Sequence, residues 1–318
     1  MTGSRFAHWL VYLTSLLLTL SGFAQSRPRI VVVTHGQASD PFWLVVRNGL
    51  EVAATETGSD VDYRSPGNFD PAGMAQLINA AVASKPDGLV VSIPDADALG
   101  DSIRAAEAAK IPVLAINAGR DVFSKLGCLM YIGQAEQTAG KQAGERLKAM
   151  GVKKAIVLNH EAGNISFEHR IRGFRDGFEG PFHHVEVLPV TPDFGECQAA
   201  VATYLQAHDE VNGILALGPV TAEAALEALD ELGRLAKVKL CTFDISPAIV
   251  QALLKRRIAF AVDQQQWLQG YLAVVVLATY AKYGCILQNN LILTGPSFVT
   301  PETAERMVNL RSLGFRNR

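Results

Sequence analysis

The residues best able to do chemistry stand just past short apolar runs. Asp40 ends the polar stretch 36–40 after the run 30–34, Asn117 opens the stretch 117–120 after 113–116, and Asp244 opens 244–246 after 238–243. The stretches 94–97 and 160–164 stand in the same relation to the runs 88–92 and 155–159. Carboxylates and amides suit hydroxyl groups, each of which costs roughly 1–3 kcal/mol if it is buried without a partner. Phe42 and Trp43 come directly after Asp40-Pro41 at the start of a helical pattern. Successive helix positions cannot share a face, so at least one of the two rings is expected to leave the core and stack on the apolar side of a ring-shaped ligand. Planar donors and acceptors beside aromatic faces are what a neutral, polyhydroxylated ligand needs.

Other chemistries lack their residues. After the first apolar run the chain reads His35-Gly36-Gln37-Ala38-Ser39-Asp40-Pro41. It has neither Gly-x-Gly-x-x-Gly nor the Gly-Lys-Ser/Thr that cradles phosphate at a helix N-terminus. No Gly-x-Ser-x-Gly elbow occurs. His183-His184 is the sole adjacent pair among seven histidines and precedes a strand pattern, as a solvated turn would. Cys128, Cys197, Cys241 and Cys285 form no Cys-x-x-Cys pair and do not cluster with histidine, so no metal site is expected. Cys241 lies in an apolar strand-like run and reads as a buried thiol; one disulfide among the other three stays open. The expectation is a binding protein without enzymatic activity, cofactor or metal.

The elements that must position these side chains follow from periodicity. Apolar runs at 30–34, 61–63, 88–92, 113–117, 155–159, 213–217 and 238–243 alternate with helical patterns at 41–57, 71–84, 97–109, 136–150, 166–178, 197–208, 222–232 and 246–255. Short β-branched runs without polar alternation, separated by helices, indicate parallel strands buried on both faces. The fold class is α/β and doubly wound. The strands overfill one open sheet, and a boundary near Gly133-Gln134 divides them into two lobes of similar topology. Ligands of such sheets sit beyond the carboxyl ends of the strands, so the site should be a cleft between lobes.

The chain of 318 residues has room for two domains, and its 49% hydrophobic and 19% charged residues exclude extensive disorder. Lys and Arg number 29 against 31 Asp and Glu, and no basic stripe exists to neutralise phosphates, which excludes nucleic acid as a partner. Residues 1–24 read as a cleaved secretory signal peptide: Arg5 and His8 precede the apolar runs 9–13 and 16–20, and Ser21-Gly22-Phe23-Ala24 supplies small residues before a cut at Gln25. The other reading of that segment is a retained membrane anchor.

In its motifs the chain resembles the type I periplasmic binding proteins of the ribose- and galactose-binding group, which deliver sugars to ABC importers. The carriers are Ser39-Asp40-Pro41-Phe42-Trp43, Asp70-Pro71, Pro86-Asp87-Gly88-Leu89, and Ile111-Pro112-Val113 before Asn117. Further matches are 139–144, Arg170-Ile171-Arg172-Gly173-Phe174, Thr242-Phe243-Asp244 and 264–270. Their order and spacing span essentially the whole chain after the leader. The resemblance implies that Asp40, Phe42, Trp43 and Asn117 contact the ligand from one lobe. From the other it implies Arg170, or Glu168 beside it, together with Asp244 and the hinge-side amide of Gln264. Asp244 could instead cap the helix beginning near Pro247, and Arg170 could be a solvated helical charge.

Departures from the family pattern also matter. Gly218-Pro219 stands where many members carry Asn-Asp, which removes two polar groups and implies a different hydroxyl pattern or a larger ligand. Asn68 or Phe69 takes the usual polar position before Asp70. His35, Gln37, Gln134, Glu136, His160 and Asn164 could supply other contacts, although ordinary loop polarity explains each of them.

The resemblance further implies two lobes joined by a three-crossing hinge near Gly133-Gln134, Gln264-Gln265 and Gly295-Pro296. Residues 27–133 with 266–294 would form one lobe, and 134–264 with 296–318 the other, the last helix at 301–310 packing on the second. The expected partners are a sugar or polyol and the membrane permease of an ABC transporter, met in the periplasm by a monomer whose closure around ligand is the signal. A sensor docking on a histidine kinase or chemoreceptor would use the same signal. A repressor would need a helix-turn-helix before the first strand, where the leader stands instead.

Overall fold

The structure, a computed structural model, describes residues 27–36 and 40–312; the expected leader over 1–24, and Gln37 and Ser39 of the first loop, lie outside the described residues. Strands β1 (Arg29–Val33), β2 (Asp60–Arg64), β3 (Gly88–Val91), β4 (Val113–Ile116) and β5 (Met130–Gln134) belong to one sheet. Strands β6 (Lys154–Asn159), β7 (His184–Pro189), β8 (Gly213–Ala216), β9 (Lys239–Phe243) and β10 (Phe260–Asp263) belong to a second. Two last strands go to one sheet each: β11 (Leu291–Gly295) completes the first, in the order β11-β5-β4-β3-β1-β2, and β12 (Ser297–Val299) completes the second, in the order β12-β10-β9-β8-β6-β7. Every pairing is parallel except β10 with β12. The doubly wound α/β fold with two sheets is therefore as expected.

The unbroken apolar runs have a simple cause. Ile30 and Val32 of β1 enter one core cluster, and Val31 and Val33 enter another on the opposite face. With helices on both faces, each alternate side chain is buried and nothing selects polar residues. Edge strands differ: β2 carries Asp60, Asp62 and Arg64 with none of its residues fully buried.

Nine helices connect the described strands, α1 (Pro41–Thr57), α2 (Pro71–Ala83), α3 (Ala96–Ala108), α4 (Glu136–Ala149), α5 (Ile165–Phe178), α6 (Phe194–Ala207), α7 (Pro219–Glu231), α8 (Pro247–Leu254) and α9 (Gln266–Tyr283), and α10 (Ala304–Ser312) follows the last. Side chains cap many of their starts. Asp40, Asp70, Asp95, Asn164, Asp193 and Ser246 each accept a backbone N–H of the first turn. Ser246, not Asp244, caps α8, which leaves the Asp244 carboxylate for other work.

Helix α9 has no counterpart among the periodic segments of the sequence. It packs beside α1 on the first sheet, and its half-exposed positions Leu268, Leu272 and Val275 are apolar like its buried ones, so no amphipathic stripe marks it. The chain passes between sheets at β5–α4, β10–α9 and β11–β12. Two glycine-lined helix pairs hold the arms of these crossings. A Cβ on Gly49 of α1 would lie 2.1 Å from the Trp267 carbonyl oxygen of α9, and one on Gly173 of α5 would lie 2.0 Å from that of Gln137 of α4. All four cysteines are free thiols; Cys128, Cys197 and Cys241 are buried and Cys285 is exposed.

Candidate functional site

A cavity of about 340 Å³ lies between the lobes, at the carboxyl ends of the strands. The first lobe lines it with Asp40, Phe42, Trp43 and Asn117; the second contributes Arg170 and Asp244, and Gln264 reaches it from the crossing between β10 and α9. That volume is within the usual range of small-molecule sites, about 300–1,000 Å³.

Asn117 and Asp244 follow β4 and β9, which occupy the same place in the two strand orders. Both have left-handed backbone, with φ of 63° and 65°. Asn and Asp tolerate this conformation best among residues with a side chain, and such outliers cluster at functional sites. Gln264 ties them together: its Nε2 donates to Asp244 Oδ1 at 2.8 Å, and its Oε1 accepts from Asn117 Nδ2 at 3.1 Å. Gln269 of α9 donates to the same Oε1 at 3.0 Å, which fixes the orientation of the amide.

Arg170 is 2% exposed and held from behind. Its Nε donates to Glu136 Oε2 at 2.6 Å and a terminal nitrogen donates to Oε1 at 3.2 Å, a two-pronged pair at the start of α4. The other terminal nitrogen donates to the Leu217 carbonyl at 3.2 Å and lies 3.9 Å from Asp244 Oδ2. Its guanidinium carbon lies 4.4 Å from the Phe243 ring centroid and 5.2 Å from that of Phe167. Burial works against the charge of Arg170, but Glu136 and Asp244 outweigh it and hold the group above its usual range.

Asp40 caps α1, accepting from the Phe42 N–H at 2.9 Å. Phe42 and Trp43 meet edge to face at 4.9 Å, and Trp43 meets His35 likewise at 5.0 Å. His35 Nδ1 lies 2.7 Å from Ser92 Oγ, while Nε2 lies 3.4 Å from Asn164 Nδ2 of the opposite lobe. Glu161 Oε2 is 3.7 Å from the same nitrogen, but burial, reinforced by Arg170, drops the His35 pKa to about 3, so the contact is not an ion pair. A backbone bond from Ile165 N to Pro94 O, 3.0 Å, also joins the lobes.

Three carboxylic acids face this cavity with raised pKa values, in each case chiefly through burial: Asp40 at about 6, Glu161 at about 7 and Asp244 at about 8. One cation stands among them, already matched by Glu136. The surface suits hydroxyl donors and disfavours a ligand bearing carboxylate or phosphate.

The structure brings Asp40, Phe42, Trp43, Asn117, Arg170, Asp244 and Gln264 into one cavity. Glu168 requires correction: it is exposed on α5 and does not line the cavity, because two steps along a helix turn a side chain to the other side. Expecting one free ring at 42–43 also needs revision. Phe42 is 6% and Trp43 2% exposed, and both join the first-lobe core while lining the cavity, whose wall is that core. Glu136, Gln134 and Asn164 stand behind the wall; His35 and His160 line it. Glu161, Phe167 and Pro192 line it too. Glu161 falls in the polar stretch 160–164 after β6 and Pro192 follows β7, which the sequence marks merely as a pattern after His184, whereas Phe167 lies in the first turn of α5 and carries no signal of its own. Among the described residues no cluster of His, Cys, Asp and Glu could hold a metal ion, and no helix is long and apolar enough to cross a membrane.

Known proteins share this architecture. The model of the periplasmic binding protein domain matches residues 30–284. The xylose/arabinose-binding protein of Sulfolobus acidocaldarius is 24% identical over 290 residues, covering 86% of this chain and 71% of that protein. The ribose import binding protein of Salmonella typhimurium is 26% identical over 260 residues, 80% of this chain and 85% of the relative. The crystal structure of a carbohydrate transporter from Acidothermus cellulolyticus in complex with myo-inositol superposes with a TM-score of 0.86 at 32% identity, covering 91% of this chain and all of that one. A doubly wound pair of lobes, a polar cleft at their strand ends and a match over most of the sequence lead to one conclusion: the chain belongs to the periplasmic binding protein domain family, whose members bind solutes and are not enzymes.

Proposed function

We propose that this protein captures an uncharged sugar or cyclic polyol between its lobes, outside the cytoplasmic membrane, and presents it to an ABC importer. The observation that carries this reading is the convergence of three acids, three amides and four Phe or Trp rings on one cavity whose single cation is already paired with Glu136. The acids and amides exchange hydrogen bonds with ligand hydroxyls, Arg170 donates to ligand oxygens in charge-assisted bonds, and Trp43 and Phe42 cover C–H surface. A structural relative at 32% identity that holds myo-inositol supports a cyclic polyol in particular.

Closure is the mechanism that follows. A ligand touching both lobes stabilises the conformation in which they meet, and it shifts that equilibrium only by the difference in its affinity for the two states. The three crossings, with 27–133 and 266–294 on one side and 134–264 and 296–318 on the other, serve as the hinge, and Gln264 sits in it. No bond in the ligand is made or broken.

Thermal-shift measurements with myo-inositol, D-ribose, D-xylose and L-arabinose test the reading. A binder present at about 100 times its Kd stabilises the fold by about 2.7 kcal/mol and raises the Tm. Sugar acids and sugar phosphates should give no shift. A shift with those anions, and none with the neutral panel, would overturn the proposal.

A further inference from the structure

Strands β1 and β6 hold the same place in their sheets, and each ends on a histidine that lines the cavity: His35 after β1 and His160 after β6. The two are bonded differently. His35 is engaged through both ring nitrogens, with Ser92 and with Asn164. His160 meets Phe167 edge to face at 4.9 Å, yet its Nδ1 is buried with no partner, and no protein group among the described residues hydrogen-bonds its Nε2.

Gly218 explains how the ring comes to lie there. A Cβ at that position would fall 2.9 Å from His160 Cε1 and 3.2 Å from Nε2, so the absent side chain is the space the imidazole occupies. Gly218-Pro219 stands where many members of the family carry two polar side chains. The structure fills that gap from the neighbouring strand end.

We propose that His160 is a ligand-contacting, specificity-determining residue, donating its Nε2–H to one oxygen of the bound sugar or polyol in place of the polar side chains absent at 218 and 219. The tautomer follows from the burial of Nδ1, since an unpaired buried acceptor is less costly than an unpaired buried donor. Burial, with Arg170 nearby, drops the pKa of His160 to about 4, so the ring stays neutral and the contact persists through neutral pH. A histidine contact bridges a single oxygen, so it discriminates between ligands that differ at one hydroxyl.

This inference rests on the sugar or polyol reading, and calorimetry separates the two. Wild-type protein is titrated with myo-inositol, D-ribose, D-xylose and L-arabinose, and the tightest binder is then compared with its single-deoxy analogues in wild type, His160→Ala and Gly218→Ala. The expected result is a loss of about tenfold or more for the parent compound in both variants. For one deoxy analogue the loss on His160→Ala should shrink to within about twofold, because the hydroxyl that His160 contacts is already gone. Gly218→Ala displaces the ring without removing it and keeps the test valid if His160→Ala folds poorly. Parent affinity unchanged in His160→Ala, or an equal loss across every analogue, overturns the His160 assignment alone. Wild type binding none of the panel overturns the ligand reading and this assignment with it.

Discussion

The two lobes are built on one plan and furnish the cleft differently. The first offers aromatic surface and an amide, Phe42, Trp43 and Asn117, around a single carboxyl at a helix start. The second offers titratable groups, the Arg170 cation with the Asp244 and Glu161 acids, over Phe167. At matching strand ends the first lobe has Asn117 where the second has Asp244, and a partnered His35 where the second has an unpartnered His160. Equivalent backbone positions thus carry an amide and a fully bonded imidazole on one side, and an acid and an imidazole without a hydrogen-bond partner among the described residues on the other. The first lobe presents a finished wall, and the second retains bonding capacity that a ligand can use.

The largest effect should come from breaking the second lobe's charge arrangement. Arg170→Met strands Glu136, 3% exposed, without its cation, and should cost about 3–5 kcal/mol in denaturant unfolding. Adding Glu136→Gln should restore much of that loss; a double variant as unstable as the single would mean that the guanidinium contributes by packing on Phe243 instead.

In the first lobe the corresponding cut is Trp43→Ala. Because Trp43 is core as well as wall, this change should lower stability by about 3–5 kcal/mol and also weaken binding. Trp43→Phe keeps most of the volume, so its affinity in calorimetry isolates the ring's part in binding. Unimpaired affinity in Trp43→Phe and Trp43→Ala alike would remove the first lobe's aromatic wall from the site.

The contrast in charge makes a smaller, pH-dependent prediction. Asp40, Glu161 and Asp244 hold protons in the folded protein that the unfolded chain releases near pH 4, so their contribution to stability is full below that pH and is lost as pH rises toward about 8. The Tm of the ligand-free protein should therefore fall across this interval from these groups. Asp244→Asn should flatten the fall most, since its pKa is the highest of the three. An identical slope in Asp244→Asn would show that the carboxyl is ionised throughout.

The smallest effect is expected at Glu168, exposed on α5 two positions before Arg170. Glu168→Ala should change stability by less than about 0.5 kcal/mol and leave affinity unaltered. A tenfold loss would return it to the site and require α5 to be rotated in the liganded protein.

Much of this was legible before any coordinates. The doubly wound class could be read because strands buried on both faces leave unbroken apolar runs, and most of the cleft could be read because polar residues gather where those runs end. Strands β5, β10, β11 and β12 and helix α9 are not among the runs and patterns read from the sequence. β12 has only three residues, and α9 is apolar at half-exposed positions such as Leu268, Leu272 and Val275 as well as at buried ones, so the contrast between a wet and a dry face, the basis of every periodicity argument, does not arise.

The amino-acid sequence by itself determined which groups this protein has for hydroxyl-rich ligands and that two parallel sheets would carry them, since both follow from local order along the chain. Only the tertiary structure decided that Glu136 stands behind Arg170, that Gln264 joins Asn117 to Asp244, that Glu168 is outside, and that the space over Gly218 belongs to His160. Those outcomes depend on separations of up to 147 residues closed to hydrogen-bond distance, and no spacing rule along a chain encodes which of its distant side chains will meet.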